Sequence, residues 1–374
     1  MLISNKRKYK VNNMQVYIRT DASNQIGSGH VMRCLTLANQ LKQKGVLIKF
    51  ICRELEGNMI EYIRKQNFEV FTLAKITAAS HWDWTTEHWL DDSQETIDVL
   101  KNENKSINML IVDHYSFDIK WEKKIRPLVE KIMVIDDLAD RKHDCDLLLD
   151  QNYYVNMENR YNGLVSVNCL KFLGPNYALL RDEFLSIDPS TIERNGEIRN
   201  ILIFFGGSDF TGETLKSLYA IEKLIHSGLK INVVIGASNP HKSKIKRFCD
   251  SHTSIQLHCQ IDYMAKLMLE ADIAIGAGGS ASWERIYVKL PAVVEIVADN
   301  QRELTEALVT TCAVYSLGKY TDVKQSDIYQ QLRLLIGNPS ELKKMSDQCN
   351  YVMDSKAVCE KTLVTQIFGT IMRT

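Results

Sequence analysis

VYIRTDASNQIGSGHVMRCLTLANQLKQKG, Val16–Gly45, begins as a short β-rich run, turns through Gly27 and Gly29, and continues with Val31, Leu35, Ala38 and Leu41 at helical spacing until Gly45. A strand that passes through a glycine turn into an amphipathic helix is the unit from which parallel sheets are built. Further β-rich runs follow at VLIKFI (Val46–Ile51), FEVFTL (Phe68–Leu73), MLIVD (Met109–Asp113), IMVID (Ile132–Asp136) and DLLLD (Asp146–Asp150), several of them separated by amphipathic stretches. The same pattern restarts at NILIFFGG (Asn200–Gly207) and runs through INVVIG (Ile231–Gly236), ADIAIGAGG (Ala271–Gly279) and AVVEIV (Ala292–Val297). YALLRDEFLSIDPSTIERNGEIR, between the two halves, is polar, carries Pro189 and Gly196, and reads as a linker ending near Ile198. The expectation is an α/β protein of two Rossmann-like, doubly wound parallel-sheet domains with an interdomain cleft, 14–190 and 191–374, preceded by a disordered extension or fused leader at 1–13. In such sheets ligands sit beyond the carboxyl ends of the strands, so the loops after the strands are the ones to read.

Composition narrows the function classes. The 374 residues suit two domains of about 150 to 190 residues each. Lys+Arg and Asp+Glu are equal at 46, so no net field draws the chain to nucleic acid or an anionic membrane. No apolar run reaches the roughly 18 residues that span a bilayer, and a cytoplasmic protein is expected. Nine cysteines, none in a C-x-x-C pair, give no disulfide framework and no zinc spacing.

IGSGH, Ile26–His30, fails as a nucleotide loop on residue identity: a dinucleotide fingerprint needs glycine where Met32 stands, and a Walker loop needs lysine. Gly27 and Gly29 still permit a tight turn and close ligand approach. His30 falls on the first helical turn, where the helix dipole disfavours imidazolium and leaves a ring able to accept a proton. A histidine bonded to a loop carbonyl would satisfy the same pattern. Asp21 could orient the ring or cap the turn.

In GAGGSASWERI, Gly276–Ile286, Gly278 and Gly279 offer amides to a phosphate, and Ser280 or Ser282 can cap the next helix. Glu284 suits paired ribose hydroxyls, or a capping role. FFGGSDFTG places Gly207 and Ser208 in an anion-friendly turn. VDHY puts Asp113, His114 and Tyr115 at a strand end, where they could bond sugar hydroxyls or cap the next helix. DNQRE offers Asn300 and Gln301 to a base or sugar, or starts a helix. WDWTTEHW, Trp82–Trp89, with His81, reads as a loop packed over the cleft.

RTDASNQIGSGHVMRC, together with LIVDHY, KIMVIDDLADRKHDCDLLLDQN, FLGPNYALLRDEF, ILIFFGGSD and GAGGSASWE in that order, resembles the hydrolase family of pseudaminic acid biosynthesis. That family releases UDP from UDP-2,4-diacetamido-2,4,6-trideoxy-β-L-altropyranose. The resemblance implies a GT-B fold related to the lipid I N-acetylglucosaminyltransferase, with UDP held mainly by the second domain. Carried over residue by residue, it makes His30 the catalytic base, Arg181 a substrate-binding group, Glu284 the nucleotide-loop carboxylate, and Ser280 and Ala281 part of the loop that meets the diphosphate and ribose. Water would attack the anomeric carbon with inversion. No D-x-D motif lies where a metal would be useful, so helix dipoles and arginine are expected in place of Mg²⁺, with no cofactor. The expected partner is a small UDP-sugar, and the expected state a monomer. A GT-B transferase using a UDP-sugar, or a nucleotide-sugar-binding polysaccharide-biosynthesis protein without hydrolysis, would carry many of the same features.

Overall fold

The protein is described by a computed structural model over residues 14–76, 81–102 and 106–372; the expectation for 1–13 lies outside the described residues. The first sheet contains β1 (Gln15–Thr20), β2 (Leu47–Arg53), β3 (Glu69–Leu73), β4 (Met109–Asp113), β5 (Ile132–Ile135), β6 (Leu147–Asp150) and β7 (Leu170–Leu173). The second contains β8 (Asn200–Phe204), β9 (Lys230–Ile235), β10 (Ile255–Cys259), β11 (Ile273–Ala277), β12 (Ala292–Ile296) and β13 (Val314–Lys319). Their orders are β3-β2-β1-β4-β5-β6-β7 and β10-β9-β8-β11-β12-β13, and the pairings are parallel. Both sheets are therefore doubly wound, and the strand order reverses between β1 and β4 in one and between β8 and β11 in the other. Those reversals are where a crevice for a ligand opens.

Seven helices matter below: α1 (Gly29–Gln43), α2 (His81–Glu87), α3 (Trp89–Lys101), α4 (Ile119–Ile125), α5 (Glu213–Ile221), α6 (Ala281–Tyr287) and α7 (Thr362–Met372). The first sheet is apolar on both faces, as parallel sheets covered by helices must be. Val16 and Ile18 of β1 pack with Ile48, Phe50, Met109 and Ile111 on one face. Tyr17 packs with Leu110, Val112 and Trp121 on the other, as the period-2 alternation of a strand requires.

The chain forms two compact units, one made of the residues up to Asn152, Asn156–Leu179 and Glu360 onward, the other of Tyr153–Val155 and Leu180–Cys359. Two features of this division differ from a boundary at 190. The stretch after Leu180 docks on the second unit: Arg194 donates to the carbonyls of Ala271, Met268 and Val288, and Tyr287 donates to the carbonyl of Ile187 at 3.1 Å. Conversely, α7 belongs to the first unit, because Leu363, Val364, Ile367 and Ile371 complete the core that Val31, Leu35 and Ala38 of α1 begin. Ile367 is fully buried, so Ile367→Ala is expected to destabilise the first unit by about 2 to 5 kcal/mol, read from urea unfolding. An unchanged midpoint would show that α7 is not part of that core.

Candidate active site

In the first unit the switch point is built from charged side chains. Ser23 organises the turn after β1, its Oγ accepting from the amides of Gln25 and Ile26 at 3.2 and 3.0 Å and its carbonyl from Gly27 at 2.8 Å. Gly27 has φ +79°, and a Cβ on exposed Gly29 would meet nothing within 4 Å, so backbone and open space meet beside His30. His30 is buried on the first turn of α1 with Nδ1 2.7 Å from Asp113 Oδ1. Arg33, one turn on, grips the same carboxylate with Nε and Nη2 at 2.7 and 2.6 Å and reaches Asp137 with Nη1 at 2.9 Å. Burial alone would raise the Asp113 carboxyl; the Arg33 guanidinium and the His30 ring overcome this and hold it well below the ordinary carboxylate range.

An ionised Asp113 can only accept, so the proton between the two groups sits on His30 Nδ1; in a neutral ring this tautomer carries its lone pair on Nε2. The Tyr115 ring meets His30 edge-on, with centroids 4.5 Å apart. The arrangement is an imidazole held by a carboxylate that is itself held by an arginine. One expectation changes. Asp113 is fully buried and uses both oxygens on Arg33 and His30, so it bonds neither a sugar nor a helix start. Arg33 went unread because its composition and spacing are those of any solvated helix charge.

Asp21 is a second correction. It is buried, with Oδ1 accepting from Arg19 Nη1 at 2.6 Å and from the Arg53 amide at 2.7 Å. Arg19 and Arg53 also share Asp92 Oδ2, at 2.8 and 2.6 Å, and Trp121 donates to its other oxygen at 3.1 Å. Asp21 thus ties β1 to β2 and is committed within the buried fold. Its Oδ2 lies 3.4 Å from His114 Nε2 and 3.6 Å from His81 Nε2, and those two nitrogens are 3.4 Å apart. Among the described residues this trio has the spacing to hold a metal. The His114 Nδ1, however, accepts the Ser116 amide at 3.1 Å, which puts the ring proton on Nε2, facing Asp21; the donor set is that of a hydrogen-bonded cluster. Burial pushes His114 down to about 4 against the pull of Asp21.

The segment around Trp84 is helical, without a glycine or proline to break it. Its ring lies under the Arg53 guanidinium at 4.9 Å and on His88 at 4.7 Å. It packs against the core of its own unit, where a loop over a cleft was expected. The side chain of Trp82 lies outside the described residues.

In the second unit the loop after β8 carries the expected substrate residues Gly207 and Ser208, and those after β11 and β12 the expected nucleotide residues. Arg181 Nε meets Glu284 Oε1 at 2.8 Å and its Nη1 meets Glu183 Oε1 at 2.7 Å, so the structure brings Arg181 and Glu284 together as an ion pair. Gly278 donates its amide to the carbonyl of Glu295 at 3.0 Å, extending the β11–β12 ladder by one residue, and is therefore not a phosphate donor. It must be glycine because a Cβ would stand 2.1 Å from Thr305 Oγ1. Gly279, Ser280 and Ala281 remain at least partly exposed, and Ser280 makes no side-chain cap on α6.

Gly207 and Ser208 are half-buried, but the amides that open α5 are taken. Asp209, at φ 43°, accepts from Glu213 and Thr214, both at 3.0 Å. Gln301 accepts from the Val297 amide at 3.2 Å, while Asn300 is exposed.

Comparison with known proteins follows this division. The glycosyltransferase family 28 C-terminal domain model matches residues 201–360. The UDP-2,4-diacetamido-2,4,6-trideoxy-β-L-altropyranose hydrolase of Campylobacter jejuni is 30% identical over 277 residues, 74% of this chain and 89% of that protein. The spore coat polysaccharide biosynthesis protein SpsG of Bacillus subtilis is 25% identical over 94% of this chain and 98% of its own length. An uncharacterized protein of Methanocaldococcus jannaschii is 28% identical over 84% of this chain, which spans only 63% of that relative. The crystal structure of Acinetobacter baumannii MurG superposes with a TM-score of 0.60 at 14% identity, covering 94% of this chain and 99% of that one. The two doubly wound sheets are those of the GT-B architecture, and the chain belongs to the UDP-2,4-diacetamido-2,4,6-trideoxy-β-L-altropyranose hydrolase family.

Proposed function

We propose that the protein hydrolyses UDP-2,4-diacetamido-2,4,6-trideoxy-β-L-altropyranose to UDP and free 2,4-diacetamido-2,4,6-trideoxy-L-altrose, as a cytoplasmic step of pseudaminic acid biosynthesis. The observation that carries this reading is the His30–Asp113 pair at 2.7 Å, with His30 in the opening motif that resembles the family's and Asp113 in the LIVDHY segment. His30 Nε2 takes a proton from water as the oxygen attacks the anomeric carbon, and Asp113 stabilises the imidazolium that forms. The C–O bond to UDP breaks on the opposite face, so the first-formed sugar has inverted configuration. UDP departs as a diphosphate, a weak base that needs no strong general acid. In the second unit, Glu284, steadied by Arg181, takes the ribose hydroxyls, and Gly279, Ser280 and Ala281 supply the polar lining of the diphosphate site. Tyr115, Gly207 and Ser208 serve the sugar, and Asn300 and Gln301 the nucleoside. A monomer completes the reading.

The match to a glycosyltransferase family model makes transfer to an acceptor hydroxyl the competing chemistry. The test is UDP release from the altrose nucleotide with water as the only acceptor, with the anomer followed by ¹H NMR. Steady release with the inverted anomer appearing first is expected. No release until an alcohol acceptor is added would replace hydrolysis by transfer.

A further inference from the structure

Arg285 stands out because its charge is buried without a matching carboxylate. It is 2% exposed, and its Nη2 donates to the carbonyl of Ala277 at 2.8 Å and to Ser282 Oγ at 2.9 Å. Its Nε has no hydrogen-bond partner. The nearby carboxylates are committed elsewhere: Glu284 to Arg181, and Glu295 to Lys216 at 2.9 Å. Among the described residues none forms an ion pair with Arg285. Burial accordingly pushes its guanidinium down to about 10, only partly opposed by Glu284. An uncompensated buried charge costs several kcal/mol in general, and a counter-charge brought by a ligand would offset that cost.

The position of the charge says what that partner is. Side chains on a helix lean toward its N-terminus, so Arg285 reaches back from α6 under the loop that ends β11. A Cβ on Gly276 would lie 3.0 Å from Arg285 Nη1 and 2.3 Å from the carbonyl oxygen of Phe204, and Gly276 is paired in register with Phe204. The guanidinium therefore sits at the seam between the carboxyl ends of β8 and β11, where the strand order of the second sheet reverses.

We propose that Arg285 is a positioning residue for an anionic ligand: it fixes the Ala277–Ser282 loop and supplies from beneath it the counter-charge for the diphosphate of the bound nucleotide. This rests on the reading of the second unit as the UDP-binding half. The guanidinium acts through the loop and across a few ångströms of low-dielectric interior, where a unit charge is felt far more than in water.

The test is isothermal titration of the full chain, wild type, Arg285→Met and Arg285→Lys, with UDP and with uridine. Arg285→Met is expected to weaken UDP by about tenfold or more while leaving uridine within twofold, and Arg285→Lys to recover part of the UDP affinity. A purely structural arginine would change both ligands together, and an unchanged UDP-to-uridine ratio in Arg285→Met overturns the proposal. Should Arg285→Met fail to fold, Arg285→Lys carries the test. Lysine keeps the charge but not the fork, so UDP binding that survives there is the supporting result and equal loss of UDP and uridine the overturning one. Failure of the wild type to bind UDP would instead overturn the nucleotide reading, and this inference with it.

Discussion

A His30→Ala protein is expected to bind UDP as tightly as the wild type and to release it from the altrose nucleotide roughly 10²- to 10⁴-fold more slowly, the usual contribution of a positioned general base. The separation of binding from turnover is expected because His30 lies in the first unit and the residues proposed to hold UDP lie in the second. The effect should fall on kcat. Removing the ring also leaves Asp113 gripped by Arg33, so the fold should survive. Equal turnover in the two proteins would exclude His30 as the base, whatever the substrate.

Asp113→Asn should be costlier because it damages both the chemistry and the fold. Asparagine can turn either its oxygen or its NH₂ group toward His30; the second choice forces the ring proton onto Nε2 and removes the base. A loss of order 10²- to 10⁴-fold in kcat is expected. The same change strips Arg33, 9% exposed on its side chain, of its bidentate partner, leaving only Asp137, and breaking a buried pair in this way costs about 3 to 5 kcal/mol.

The pH dependence follows from the direction of the carboxyl shift. The folded-state value of Asp113 is depressed, so its stabilising contribution is fully present above the ordinary carboxylate range and is lost as pH falls through and below it. The stability gap between wild type and Asp113→Asn should therefore be widest above about pH 5 and narrow below about pH 4. A gap independent of pH, measured by urea unfolding across that range, would mean that the carboxylate is not held ionised by Arg33 and His30.

Most of the strands that could be read from the chain are those whose apolar runs are nearly unbroken, the edge strand β3 in FEVFTL being an exception. Val16–Arg19, Met109–Asp113 and Asn200–Phe204 are central strands covered on both sides, so burial alone makes them apolar throughout. β7, β10 and β13 went unread because edge strands face water. LKFL in β7 leaves Leu170 and Lys171 exposed, and IQLHC in β10 mixes polar residues into the run. The return of α7 to the first unit was equally invisible, since an amphipathic helix advertises an apolar face without saying which core it completes.

For the site, the sequence by itself marked His30 as the candidate base. A histidine placed by a glycine turn on the first turn of a helix after β1 is a local arrangement, written in consecutive residues. What only the tertiary structure decided is the company that histidine keeps. Asp113 is 83 positions from His30, and it reaches Nδ1 because β1 and β4 are neighbours in the sheet though not in the chain. The same holds in the second unit, where Arg285 is a solvated charge by spacing and a buried, unmatched cation once β8 and β11 close over it. Hydrogen bonds and Coulomb forces act over a few ångströms, and only the folded sheet brings those charges within that range.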